Sequence, residues 1–432
     1  SEITLSSFGE KEVFHEDPFK ILRRVLGLYT CAPRPNLPAF VGGAVGYFGY
    51  ESKNYLEPAS FRSFKGTPVL PDVYLLFFDE GVVIDHEKME MFIFSTVHAG
   101  KNLKKCFDSA MQTLNALENE LRRSAKPKRK DCCPQVPDEK ADPLIDSSMS
   151  RPEFIQKVKK IKQAIRRGDI YQANLSQRFS FTLGKEPLDV YENLRKVNPS
   201  PFFGFLDALD FQIVSGSPER LLKLENGVLE TRPIAGTRAR GKNEKEDEAL
   251  SKDLILNPKE RAEHIMLVDL ERNDLGRVSE YGSVSVNELM GIENYSHVKH
   301  IVSNVRSRLK KELDAVEAFK AFFPGGTITG TPKIRCMEIL DTLEPVERGP
   351  YTGSLGYFSF TGNMDFNIII RSLVIKNGTA HLQVGAGIVA DSIPGKEYEE
   401  TLYKAEGLLT AIFGKQETRA FFRRRGVTCR VS

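Results

Sequence analysis

Three observations predict an α+β fold. Strand-like runs cluster with one another and helical periodicity falls in separate stretches, which argues against alternating βαβ units. Asn226-Gly227 and Asn377-Gly378 each join two apolar runs, a strong short-range signal for an antiparallel hairpin. Ser150-Arg151-Pro152-Glu153 is a capping box with Pro in the first turn, and Phe154, Val158, Ile161 and Ile165 follow at helical spacing until Gly168 stops the element.

Length and composition bound the rest. The 432 residues suffice for two ordinary domains or one large composite domain, with 41% hydrophobic and 28% charged residues, as expected of a globular chain. A formal net charge of +3 gives no reason to expect nucleic-acid binding, and no apolar run approaches membrane-spanning length. The cysteines form no C-x-x-C pair and the histidines complete no zinc pattern, so a reducing, cytoplasmic location is expected. The chain opens on Ser1 and is expected to be trimmed at its start.

Along the chain, residues 1–120 form an N-terminal part. In it Gly43-Ala-Val-Gly-Tyr-Phe-Gly-Tyr50 echoes Gly353-Ser-Leu-Gly-Tyr-Phe-Ser-Phe360, as two equivalent strands of two facing sheets would. Val73–Phe78 reads as a buried strand. Residues 121–150, with the basic run from Arg122 to Lys130 leading into Pro-punctuated polar sequence, read as a solvated linker rather than a nucleic-acid patch. Residues 151–413 carry the periodic elements, with strands over Ile170 to Phe181 and Phe211 to Ser215. Residues 414–432 lose periodicity and are expected to be a tail outside the fold.

Chemistry concentrates in the 151–413 part. Glu260 and Glu263, and again Glu397 and Glu400, are three residues apart and share a helix face. Two such faces brought together would hold a hard dication, Mg²⁺ suiting all-oxygen ligands; two solvated faces would show the same spacing. Phe323 to Lys333 is a glycine-rich loop entering a helix near Pro332. It is not a Walker loop, because Thr331 stands where Lys is required, but its backbone amides suit an anion, with Lys333 and Arg335 close by. A helix cap explains the same glycines. Gly385 and Gly387 follow a strand and permit close backbone approach to a carboxylate. Arg371, inside the apolar run IIIRSLVI, calls for a carboxylate partner if buried. Glu219 ends a hydrophobic strand, where burial would let it keep a proton and act as general acid; a surface Glu219–Arg220 turn is the alternative. His297 and His300 lack a third ligand and are not read as a metal site.

Taken together, GDIYQANLSQRF, SGSPERLLKL, ETRPIAGTRARG, ERAEHIMLVDLERNDLGRV, YSHVKHIVSNV, FPGGTITGTPKIR, GNMDFNIIIRS and QVGAGIVADS with EYEETLYKA resemble the chorismate-utilising enzymes from Ser150 to Phe413. The family comprises anthranilate synthase component I, aminodeoxychorismate synthase component I and the isochorismate and salicylate synthases. The resemblance implies two antiparallel sheets packed as a sandwich with helices outside, the 151–413 part being the chorismate-binding catalytic domain. It implies Mg²⁺ on Glu263 and Glu400 with Glu260 and Glu397 close behind. Tyr351, Arg371, Gly385 and Gly387 would bind the enolpyruvyl carboxylate of chorismate, with Thr327 lining the same pocket. Glu219 matches the general acid for the departing C4 hydroxyl; Lys333 and His300, the latter at a position linked to later elimination, complete the catalytic candidates. Gln172 stands where water-adding members carry a lysine base, which sets those branches aside. Ala235 in Pro233-Ile-Ala-Gly-Thr237 is similar to anthranilate synthases, whereas FPGGTITGTPK and YTGSLGYFSF look more like the aminodeoxychorismate branch. The expected reaction is therefore amination of chorismate to 4-amino-4-deoxychorismate, with anthranilate synthesis as the alternative and a silent chorismate-binding subunit as a third. Ammonia is expected from a separate glutamine amidotransferase subunit.

Overall fold

The computed structural model describes residues 2–7, 9–32, 36–58, 60–61, 69–97, 102–124, 145–294 and 298–430. Two antiparallel sheets dominate it. The seven-stranded sheet runs in the order Gly330–Thr331, Gln172–Thr182, Thr379–Ile388, Ser372–Lys376, Phe211–Ser217, Phe202–Asp207, with Asp146–Ser147 also paired to Gln172–Thr182. The nine-stranded sheet runs Ile234–Ala239, Val298–Arg308, Val228–Thr231, Arg220–Glu225, Met364–Asn367, Ser354–Ser359, Gly43–Phe48, Val73–Phe78, with Ser285–Asn294 also on Val298–Arg308.

Alternation along the strands builds three apolar layers. Tyr47, Leu355, Leu206, Ile213 and Val374 from both sheets pack together in one cluster, so the sheets face each other. Their strand neighbours Val214, Leu373 and Ile375 point the other way, against Phe154, Val158 and Ile161 of helix Arg151–Arg166 and Leu402 and Leu409 of helix Pro394–Arg424. On the far side, Leu222, Phe358 and Phe366 of the nine-stranded sheet meet Phe319 and Phe322 of helix Ala315–Phe322 and Val268 of helix Pro258–Val278. The period of two along each strand thus feeds two cores at once. The α+β sandwich with outer helices is the observed architecture.

Local signals read from the sequence are found in place. Ser150 and Glu153 close the capping box from both sides. Asn226 and Gly227 have φ of 52° and 78°, and Asn377 and Gly378 have φ of 50° and 72°, the left-handed pair that tight hairpins need. Four expectations are corrected. The echoing Gly43 and Gly353 stretches are adjacent antiparallel strands of one sheet, Gly46 opposite Gly356, not partners in facing sheets. The chain from 414 onward is not a tail outside the fold: Gly414, at φ 82°, breaks the last helix, yet Phe421 and Phe422 beyond it are fully buried in the core between the seven-stranded sheet and its covering helices. Helix Leu103–Ser124 continues past residue 121, whereas most of the expected linker, 125–144, lies outside the described residues, as does His297. The apolar run around Arg371 is not one continuous strand: residues 368–371 lie between strands Met364–Asn367 and Ser372–Lys376.

That last point positions the site. Strand Met364–Asn367 belongs to the nine-stranded sheet and Ser372–Lys376 to the seven-stranded one, so residues 368–371 carry the chain across. Residues Pro218 and Glu219 do the same between Phe211–Ser217 and Arg220–Glu225. The two crossings run side by side: the Ile368 amide donates to the Glu219 carbonyl at 3.0 Å and the Gly216 amide to the Arg371 carbonyl at 3.1 Å. Arg371 takes φ 51° to make the bend, a conformation that costs a non-glycine residue on the order of 1 kcal/mol or more.

Candidate active site

Glu219 sits at one crossing and is 7% exposed. Burial pushes its carboxyl up to about 7, against the pull of the Thr327 hydroxyl and of the Arg371 and Lys404 charges. Thr327 Oγ1 is buried and forms no hydrogen bond of ordinary geometry. Its pull on Glu219 is therefore that of a nearby polar group, and its hydrogen-bonding capacity is open to a ligand. Glu219, Thr327 and Arg371, predicted from separate motifs, are brought together.

The carboxylate-binding candidates form a second wall. Gly385 and Gly387 lie on Thr379–Ile388 opposite Ser176 and Asn174. A Cβ on Gly385 would stand 2.8 Å from Tyr351 Oη and 3.0 Å from Asn174 Oδ1, and one on Gly387 would stand 3.0 Å from Gln172 Nε2. Close approach therefore requires a glycine at 385, while at 387 only the flexible end of Gln172 is near. Tyr351 is buried and its hydroxyl is pushed up to about 12 by that burial, with Arg348 and Asn174 pulling it down, so it is a neutral donor at physiological pH. His300 is also buried, and burial together with the Arg371 charge lowers it to about 4. It is a neutral imidazole whose Nδ1 lies 3.2 Å from the Gly236 carbonyl, which favours the tautomer with the proton on Nδ1. Ala235 pairs with Ile301, next to His300.

The acidic helices approach one another at the Glu263 and Glu400 end. Burial raises Glu263, and the Glu260 and Glu400 charges raise it further while Lys259 opposes them. Burial likewise raises Glu397, again with Glu400 adding to the effect. The four-carboxylate point suggested by spacing is not assembled: among the described residues no three His, Cys, Asp or Glu side chains gather closely enough to hold a metal. Glu260 is drawn aside by Arg238, whose Nη1 donates to Glu260 Oε1 at 3.0 Å. Glu263 pairs with Lys259 at 3.6 Å and Glu400 with Lys404 at 2.9 Å. The all-oxygen donor set, with the Glu400 charge acting on both Glu263 and Glu397, is of the chemistry that fits a hard dication.

Lys333 is placed differently from the anion-facing lysine expected at the glycine loop. Its ammonium lies 2.8 Å from Asp274 Oδ2 and donates to the Phe322 carbonyl at 2.9 Å, so its charge is taken up inside the protein. Arg335 pairs with Glu338. Sequence reasoning missed three groups. Lys404 bridges Glu400 and the Gly385 carbonyl, the latter at 2.9 Å, and its i,i+4 spacing from Glu400 was the available signal. Asn174 links Tyr351 to the Ile328 carbonyl at 3.0 Å. Glu271, fully buried, is pushed up to about 8 by burial and by Asp274, with Lys333 opposing and the Glu219 charge adding; nothing local in sequence announces it.

The two sheet crossings thus bring together a buried carboxyl that keeps its proton near neutrality, Thr327 and the Arg371 charge, while the neutral Tyr351 hydroxyl lies against Gly385. A profile described as chorismate binding enzyme matches residues 4–410, and the chain belongs to that family of chorismate-utilising enzymes. It is 43% identical over 406 residues to the anthranilate synthase component 1 of Acetivibrio thermocellus, covering 94% of this chain and 82% of that one. It is 44% identical over 423 residues to the aminodeoxychorismate synthase component 1 of Bacillus subtilis strain 168, covering 96% and 87%. Anthranilate synthase component I from Streptococcus pneumoniae TIGR4 superposes with a TM-score of 0.78 at 35% identity over 92% of this chain and 87% of that one. The menaquinone-specific isochorismate synthase of Escherichia coli shares the fold, with a TM-score of 0.66 at 19% identity over 91% and 81%. Among the described residues no helix is long and apolar enough to cross a membrane.

Proposed function

We propose that the protein aminates chorismate to 4-amino-4-deoxychorismate, using Mg²⁺ and ammonia delivered by a glutamine amidotransferase partner. The observation that carries the chemistry is Glu219, a carboxyl kept protonated near neutrality by burial beside Arg371 and Thr327. Its proton goes to the departing ring hydroxyl, which leaves as water while ammonia supplies the new C–N bond. Tyr351, Arg371 and the Gly385 to Gly387 backbone hold the enolpyruvyl carboxylate and orient the ring, and His300 stays a neutral imidazole near the Arg371 charge. Glu263 and Glu400, with Glu397 beside them, would hold Mg²⁺, which when bound neutralises the ring carboxylate. Glu260 buttresses this end through Arg238. Component 1 names among the relatives support a second, ammonia-supplying subunit.

Gln172 in place of a lysine base supports amination over hydration. The glycine loop Phe323 to Lys333 and the Tyr351 to Phe360 stretch support the aminodeoxychorismate branch. Ala235, in register with Ile301, favours the second reading, anthranilate synthesis with release of pyruvate. Product analysis decides: chorismate, ammonium and Mg²⁺ are expected to give 4-amino-4-deoxychorismate without pyruvate. Fluorescent anthranilate with an equivalent of pyruvate selects the second reading instead.

A further inference from the structure

Thr327, Tyr351 and Gly387 lie on three separate segments, and one buried guanidinium ties those segments together. Arg348 is 3% exposed. Its Nη2 donates to the Asn174 carbonyl at 2.5 Å and to Glu344 Oε1 at 2.7 Å, and its Nε donates to Glu344 Oε2 at 2.8 Å. Its Nη1 donates to the Ile328 carbonyl at 3.2 Å and to Thr352 Oγ1 at 3.1 Å. Asn174 is opposite Gly387 in the sheet, Ile328 follows Thr327, and Thr352 follows Tyr351. A guanidinium has five N–H donors, and these five contacts use them all. Arg348 has no donor left for a ligand, so its effect on the site is through the segments it holds.

The rest of its surroundings fixes the guanidinium itself. Glu344 Oε1 also accepts from the Ser176 amide at 2.8 Å and its hydroxyl at 2.9 Å. The guanidinium carbon lies 4.5 Å from the Tyr50 ring centroid and 5.8 Å from that of Tyr351. From the N-terminal part, Glu51 accepts from the Arg348 amide at 2.9 Å and the Gly349 amide at 2.8 Å, and the Tyr50 amide donates to the Gly349 carbonyl at 2.7 Å. The turn that carries Tyr351 is clamped from both sides.

We propose that Arg348 is a positioning residue that sets the spacing of Tyr351, Thr327 and the Gly385 to Gly387 backbone, and thereby the affinity for the enolpyruvyl carboxylate. The proposal rests on the chorismate reading. Lysine preserves the charge of Arg348 but not its planar fork. In full-length Arg348→Lys the KM for chorismate is expected to rise about tenfold or more with kcat within about threefold of the parent's, the mark of misplaced binding groups rather than lost chemistry. In Arg348→Ala, added guanidinium is expected to bring KM back by at least about threefold, whereas methylammonium is not. A KM within about twofold of the parent's in a folded lysine variant, or a loss confined to kcat, overturns the assignment. Should neither Arg348 variant fold, Glu51→Gln loosens the same turn from the N-terminal side and is expected to raise KM several-fold; an unchanged KM there overturns it equally. A parent protein that leaves chorismate untouched under the same conditions overturns the underlying reading, a result the variants alone do not produce.

Discussion

Burial is the largest influence on Glu219, and it has a cost as well as a use. An exposed glutamate carboxyl titrates near 4.5 and Glu219 near 7, so between those values the folded state binds a proton that the unfolded chain has released. Its contribution to stability is whole below about pH 4.5 and is lost as pH rises through about 7, a difference on the order of 3 kcal/mol. Glu219→Gln is therefore expected to be more stable than the parent at pH 8 by up to about 3 kcal/mol, with the gain vanishing toward pH 4.5; urea melts at the two pH values measure it. A gain of equal size at both values would show that the carboxyl's charge is not the cause. The same titration predicts a turnover rate that falls as pH rises past about 7, because the acid must hold its proton. Glu219 and Arg371 were legible because each interrupts or ends an apolar run, whereas Thr327 and Tyr351 were reached only through the family resemblance. Arg348 and Glu271 were not legible: Glu344 and Asp274 are close by in sequence, but the Asn174 and Ile328 carbonyls that Arg348 binds and the Thr231 hydroxyl that Glu271 accepts from come from distant segments.

Among the elements, the two acidic helices and the two sheet crossings define the site. The helices were readable from their three-residue glutamate spacing, but which glutamates face one another depends on the packing of the two helices. Arg238 claims Glu260, while Glu263 and Glu397 feel the charge of Glu400. A cation that binds only the folded state stabilises it by about 2.7 kcal/mol at a hundred times its Kd. Mg²⁺ is accordingly expected to raise the melting temperature of the parent, with little effect on Glu263→Gln or Glu400→Gln; calorimetry without substrate is the measurement. Equal shifts in all three would place the ion elsewhere. The crossings were illegible because a run such as IIIRSLVI looks the same whether it stays in one sheet or passes between two. Only the left-handed φ at Arg371 marks the change, and nothing in the residue type foretells it. Hairpins at Asn226 and Asn377 were legible because their geometry is local.

Across the whole molecule, the chain's two ends are part of the structure that supports the site. Gly43–Phe48 and Val73–Phe78 complete the nine-stranded sheet, and Glu51 holds the turn bearing Tyr351. At the other end Phe421 and Phe422 are buried against the outer face of the seven-stranded sheet. The sequence after Gly414 read as a tail because its break in periodicity coincides with a real break in the helix. The two phenylalanines were the contrary sign. Phe422→Ala is expected to cost about 3–5 kcal/mol by emptying a packed position, seen as a lowered urea midpoint; a cost under about 1 kcal/mol would contradict the packing described.

If Glu219 is the acid in a site that binds and aminates chorismate, replacing it must remove turnover and spare binding. The most direct test follows chorismate loss with ammonium and Mg²⁺ at pH 7 for the parent and for Glu219→Gln, alongside chorismate affinity by calorimetry. The parent is expected to consume chorismate, while the variant binds it within about threefold of the parent and turns it over at least about a hundredfold more slowly. A parent that leaves chorismate intact, or a variant that matches the parent's turnover, would contradict it.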